Sequence, residues 1–107
     1  MIPLKTIEDL ISKHSLLEKE LSSGEVDKKL FAEKSKEYAD LNEVIDDVKK
    51  YFSFENEKKD LEKILNDSDS DDDFKAMAET ELKDLKSENE TIEKKLKLFL
   101  LMIEEIF

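Results

Sequence analysis

Asn66-Asp67-Ser68-Asp69-Ser70-Asp71-Asp72-Asp73 is the stretch on which the architecture turns. Short oxygen-bearing side chains compete for backbone amides, so they favour turns and helix starts over helix interiors. An unbroken run of them between two long stretches of helical periodicity predicts a corner, not one continuous rod. The aspartates at its far end also stand where the next helix begins. There the helix dipole favours negative charge by ~0.3–1 kcal/mol per group.

Upstream of the corner, periodicity runs from Asp27, placed as an N-cap, to about Asn66 with no Gly or Pro to interrupt it. Phe31, Tyr38, Ile45 and Phe52 fall seven apart, with Leu41 and Val48 at the complementary positions, which is a heptad pattern with aromatic knobs. Past Phe54 the stripe moves to Lys58, Leu61 and Leu65, predicting a slip in register or a bend around Tyr51 to Asn56.

Downstream, Ala78, Leu85, Ile92, Phe99 and Ile106 share one heptad position, and Leu82, Asn89, Leu96 and Ile103 share the other. At ~1.5 Å per residue that helix is ~50 Å long, and a short turn between two such helices makes them antiparallel neighbours. Asn89 breaks an otherwise apolar seam, where a lone polar residue commonly fixes register at some cost in stability.

Nearer the N-terminus, Ile7, Leu10, Ile11, Leu17 and Leu21 recur at helical spacing, Thr6 and Asp9 are placed like a capping pair, and Ser22-Ser23-Gly24 stops the helix. The expected fold is therefore all-α: a long antiparallel coiled-coil hairpin, about 27–66 and 71–107, with a shorter N-terminal helix, about 4–22, packed against it. Residues 1–107 read as a single helical domain.

Composition agrees. With 107 residues, 44% of them charged, one Gly and one Pro, long helices are the default. The 38% apolar fraction suits helices that each bury only a narrow stripe. A net charge of −11 argues against direct nucleic-acid binding, which needs clustered Lys and Arg to neutralise phosphates, but suits a basic partner surface. Absence of cysteine excludes disulfides, a thiolate zinc site and a Cys nucleophile, and suits a cytoplasmic protein. Met1-Ile2-Pro3-Leu4-Lys5 has no signal-peptide pattern, and the apolar tail Leu96–Phe107 is well short of the ~20 residues that span a bilayer.

Three segments in order carry a family resemblance. Lys34-Ser35-Lys36-Glu37-Tyr38-Ala39-Asp40-Leu41 is followed by Leu65-Asn66-Asp67, the acidic turn and Met77-Ala78-x-x-Glu81-Leu82-x-x-Leu85, then by Leu96-Lys97-Leu98-Phe99-Leu100-Leu101. Over about residues 4–101 the chain resembles the N-terminal domain of bacterial class I peptide chain release factors, with spacing most like the release factor 1 type, which recognises UAA and UAG. After Leu101 the likeness stops. Where the family continues with Pro, an acidic linker and a Gly-rich segment, this sequence has Met102-Ile103-Glu104-Glu105-Ile106-Phe107. With Gly24 the only glycine and Pro3 the only proline, neither the family's codon-reading Pro-x-Thr nor its catalytic Gly-Gly-Gln is encoded here. The expectation is a gene truncated or frame-shifted near residue 102, or a fragment with a non-native end.

The resemblance implies a piece of a translation termination factor that docks on the ribosome near the stalk base, in the GTPase-associated region, without hydrolysing peptidyl-tRNA. The alternative is a stand-alone acidic coiled-coil adaptor or dimerisation module. Leu98, Leu101 and Met102 lie off the seam and call for cover, which following domains or the first helix would supply in a full-length factor and which self-association through the apolar end Leu96–Phe107 would supply in a fragment.

No catalytic, cofactor-binding or metal-binding residue is expected. Asp67, Asp69 and Asp71 have the alternate spacing of a calcium loop, but Asp72 stands where the loop needs Gly and Ala78 where it needs Glu. His14, the only imidazole, falls by the apolar stripe of the first helix and reads as structural. Ser12, Ser15, Asp46-Asp47 and Glu104-Glu105 read as solvated helix surface, since adjacent carboxylates on a helix point about 100° apart. Tyr38, Tyr51, Phe52 and Phe54 could form a base-stacking platform, but heptad spacing assigns at least Tyr38 and Phe52 to the seam.

Overall fold

The structure is a computed structural model that describes residues 1–104. The chain is all-α: α1 (Leu4–Ser23), α2 (Lys28–Asn66) and α3 (Asp72–Glu104), with no strand among the described residues. Every boundary up to the start of α3 falls within a residue or so of its expected place. The continuation of the third helix to residue 107, with Ile106 as its last seam position, lies outside the described residues.

The helix ends follow local chemistry. Gly24 closes α1 at φ 72° and ψ 4°, the left-handed conformation that costs a side-chain-bearing residue energy. Asp27 caps α2, its Oδ1 accepting from the Lys29 amide at 3.2 Å and its carbonyl from the Phe31 amide at 2.9 Å. At the corner, Asp67 Oδ1 accepts from the Asp69 amide at 3.0 Å, and the Asp71 carbonyl accepts from the Lys75 amide at 2.9 Å to open α3. Asp72 and Asp73 occupy the first turn, where the dipole favours them. Thr6 and Asp9 do not cap α1. The helix already begins at Leu4, after Pro3 at φ −58° and ψ 138°, so both lie inside it and no side chain caps it.

The chain divides into two compact units, residues 1–49 and the residues from 50 onward. In the first, α1 packs antiparallel on the early part of α2, tied by Lys13–Glu37 at 3.3 Å and by Lys34–Glu20. Its buried side chains are Ile2, Ile7, Leu10, His14 and Leu17 at the N-terminal end and Leu41, Ile45 and Val48 on α2. In the second, α3 packs antiparallel on the later part of α2, with Lys50 3.2 Å from Glu88, two residues equally far from the corner. Ala78, Ile92 and Leu96 are buried there, and Leu82, Leu85, Asn89, Phe99 and Ile103 are half-buried, which is the expected seam of α3.

The aromatic row of α2 is a correction. Phe31 is 51% exposed and Phe52 42%, while Tyr38 is half-buried and Ile45 buried. A strict seven-residue repeat drifts ~20° per heptad on a straight helix, and α2 meets α1 early and α3 late. Its covered positions therefore run Leu41, Ile45, Val48, then Tyr51, Phe54, Lys58, Leu61 and Leu65. The steps of three run from Ile45 to Phe54, so the slip in register opens earlier than the expected stretch Tyr51 to Asn56, and α2 passes through it as one helix.

Candidate functional site

In the first unit, α1 and α2 are joined by residues 24–27, so positions equally distant from that turn face each other. His14 is 8% exposed, its Nε2 lies 3.1 Å from Asn42 Oδ1, and its ring stacks on Tyr38 with centroids 4.9 Å apart and planes 25° apart. An amide oxygen can only accept, so this bond places a proton on Nε2. The amide neither takes nor gives a proton at neutral pH, and the arrangement orients the ring without activating it. Ser12 and Ser15 are exposed. The His14–Tyr38 pairing was recoverable from hairpin arithmetic about residues 24–27; the choice of Asn42 as partner carried no sequence signal.

In the second unit, a groove between α2 and α3 holds a cavity of about 130 Å³ lined by Lys50, Phe54, Glu57, Leu85, Glu88, Asn89 and Ile92. Asn89 Oδ1 is buried there without a hydrogen-bond partner, a costly state for an amide oxygen. Further along α3, Glu93 lies 3.2 Å from Lys97, one turn away, and its hydrogen bond holds the lysine above its ordinary pKa. That exposed interaction is present at neutral pH and is lost as pH rises through the lysine's raised pKa.

Two of the corner aspartates accept from backbone amides, Asp67 Oδ1 from Asp69 and Asp71 Oδ1 from Asp73 at 3.4 Å. Among the described residues no group of three His, Cys, Asp or Glu side chains is placed to hold a metal ion. No helix among them is long and apolar enough to cross a membrane. Phe52 stands exposed while Tyr51 and Phe54 are half-buried, so the three do not share one exposed face.

These features describe surfaces and packing. The model of the PCRF domain matches residues 10–105. The chain belongs to the PCRF domain family. This PCRF domain is 85% identical over 105 residues to peptide chain release factor 1 of Pelagibacter ubique (strain HTCC1062), a match covering 98% of this chain and 29% of that protein. It is 38% identical over 97 residues to peptide chain release factor 1 of Agathobacter rectalis, covering 89% of this chain and 27% of that protein. Against peptide chain release factor 1 of Nitratidesulfovibrio vulgaris (strain DP4) the identity is 35%, with the same coverage of 89% and 27%. The chain thus spans less than a third of the length of these curated relatives. No solved structure matches it.

The resemblance drawn from the three sequence segments holds, and the structure says what the first of them does. Lys34 pairs with Glu20, Glu37 with Lys13, Tyr38 stacks on His14, and Leu41 is buried. Half of that eight-residue PCRF motif pairs with α1 or is buried, so those positions are a packing signature of the first unit. In the second segment Ala78, Leu82 and Leu85 lie on the α3 seam, again as packing.

Proposed function

We propose that this PCRF domain is the N-terminal helical module of a peptide chain release factor, a single domain that acts in translation termination by docking on the ribosome. The observation that carries this reading is the 85% identity to a release factor 1 over 98% of the chain. The module contributes shape and contact surface, and peptidyl-tRNA hydrolysis is not its task, since its sequence encodes no Gly-Gly-Gln. Recognition of UAA and UAG belongs to other parts of such a factor, because no Pro-x-Thr is encoded here either. The working compartment is the cytoplasm, and the docking region is the GTPase-associated region near the stalk base. An acidic helical surface with net charge −11 suits a basic protein face there better than ribosomal RNA phosphates.

Cross-linking the purified chain to ribosomes and identifying the linked proteins tests the docking. Enrichment of stalk-base proteins is expected, and cross-links scattered over the ribosome, or none, would overturn it. Added to ribosomes halted at UAA, the chain should leave the nascent peptide attached; release would refute the non-catalytic assignment.

A further inference from the structure

The first half of α3 carries a second row of side chains outside its seam. Phe74, Met77, Glu81, Asp84 and Glu88 stand three or four positions apart in turn, so they form one ridge along the helix, and all of them are exposed. At ~100° per residue the ridge lies about 80° to one side of the seam, and at ~1.5 Å per residue it is about 21 Å long. Two apolar side chains at the corner end, 51% and 62% exposed, thus lead into three carboxylates. Where the two parts meet, Met77 and Glu81, with Ala76 and Thr80, line an open depression of about 400 Å³.

The charges of the ridge have no counterpart on their own helix. No lysine stands three or four positions from Glu81, Asp84 or Glu88, and Lys75, Lys83 and Lys86 lie about 90° to the other side of the seam. A solvated helix face ordinarily interleaves both signs at that spacing, because like charges there repel. Lys50 of α2 reaches Glu88 at 3.2 Å, but Glu81 and Asp84 stand in no ion pair among the described residues. Cover that fits this ridge is apolar at one end and cationic along the rest. RNA phosphates have the wrong sign, and a second copy of the chain, at −11, is repelled.

We propose that this ridge makes the ribosomal docking described above, and that its occupant is a basic amphipathic helix of a partner protein. That helix lays apolar side chains on Phe74 and Met77 and Lys or Arg side chains along Glu81, Asp84 and Glu88. The inference rests on the ribosome-docking reading and names the face used and the chemistry of its partner. Five side chains cover less than the ~1,200–2,000 Å² of a stable complex, so the dissociation constant falls on the order of 10 μM and rises with salt.

Co-sedimentation of the 107-residue chain with purified ribosomes, across about 1 to 100 μM, is the test, with circular dichroism confirming that each variant keeps its helices. The wild type should bind saturably. Glu81→Gln combined with Asp84→Asn should weaken binding about three- to tenfold, and Met77→Ser by a similar factor. Glu79→Gln combined with Glu90→Gln changes the net charge equally on the other flank, and should stay within about twofold of the wild type. A photoreactive side chain in place of Met77 should cross-link to a ribosomal protein. If the wild type does not bind, the ribosome-docking reading falls and this inference with it. If it binds and the ridge variants bind as well, or the flank variants lose as much, the ridge is refuted while docking stands. Cross-links from position 77 to ribosomal RNA in place of protein would overturn the basic-helix partner.

Discussion

At Gly24 and Asn89 the identity of a single residue changes the stability of the chain. Gly24 holds φ 72°, and a Cβ built there meets nothing within 4 Å. The cost of Gly24→Ala is therefore backbone strain without a clash, about 1 kcal/mol, and Gly24→Asn should cost less because Asn tolerates the left-handed region. Urea unfolding of the three proteins side by side measures the order. Asn89 works in the opposite direction. Its Oδ1 is buried without a partner beside a cavity of about 130 Å³, so Asn89→Leu removes a desolvated oxygen and fills space. The expected gain is ~1–2 kcal/mol, a rise in melting temperature of several degrees for a chain of this size. A fall would mean that the amide is satisfied in solution by ordered water, which the cavity has room to hold.

At the scale of elements, helix boundaries were legible because stop and start signals are local. Gly24, Asp27 and the corner aspartates act on amides within a few residues of themselves, and a sequence displays such neighbours directly. The seam of α3 was legible as well, since one face of that helix stays covered from Ala78 to Ile103. The face of α2 was not, because its covering partner changes along its length and the covered face changes with it. An unbroken run of sevens then reads as a seam while marking exposed positions such as Phe31 and Phe52. Substitution separates the two interpretations of α2. Leu41→Ala, at a side chain 2% exposed, should cost about 2–4 kcal/mol, whereas Phe52→Ala, at 42% exposure, should cost under about 1 kcal/mol. Equal costs in thermal melts would restore Phe52 to the core. Candidate-site residues followed the same rule: the position of His14 by the apolar stripe was readable, but its burial and its amide partner depended on which residues of α2 lie opposite.

Over the whole molecule, 29 acidic residues face 18 basic ones. Two opposed electrostatic effects follow. Ion pairs such as Lys13–Glu37 and Lys50–Glu88 join the helices within each unit, and salt weakens them. Their partners are part-exposed to well exposed, so each contributes at most ~1 kcal/mol and often nothing measurable. Against them stands repulsion among the excess carboxylates, which acts over many pairs at once and disfavours the compact state. At low ionic strength, with a screening length of ~30 Å, nearly every carboxylate in a chain of this size feels the others; near 0.5 M that reach shrinks below ~10 Å and the sum collapses. Repulsion should therefore win. Raising sodium chloride from about 10 mM to about 0.5 M should raise the melting temperature by a few degrees, measured by circular dichroism at about 10 μM so that self-association does not contribute. If the melting temperature fell instead, the cross-helix ion pairs would outweigh the net charge, and charge-neutralising variants such as Lys50→Gln should then destabilise the chain more at low salt than at high.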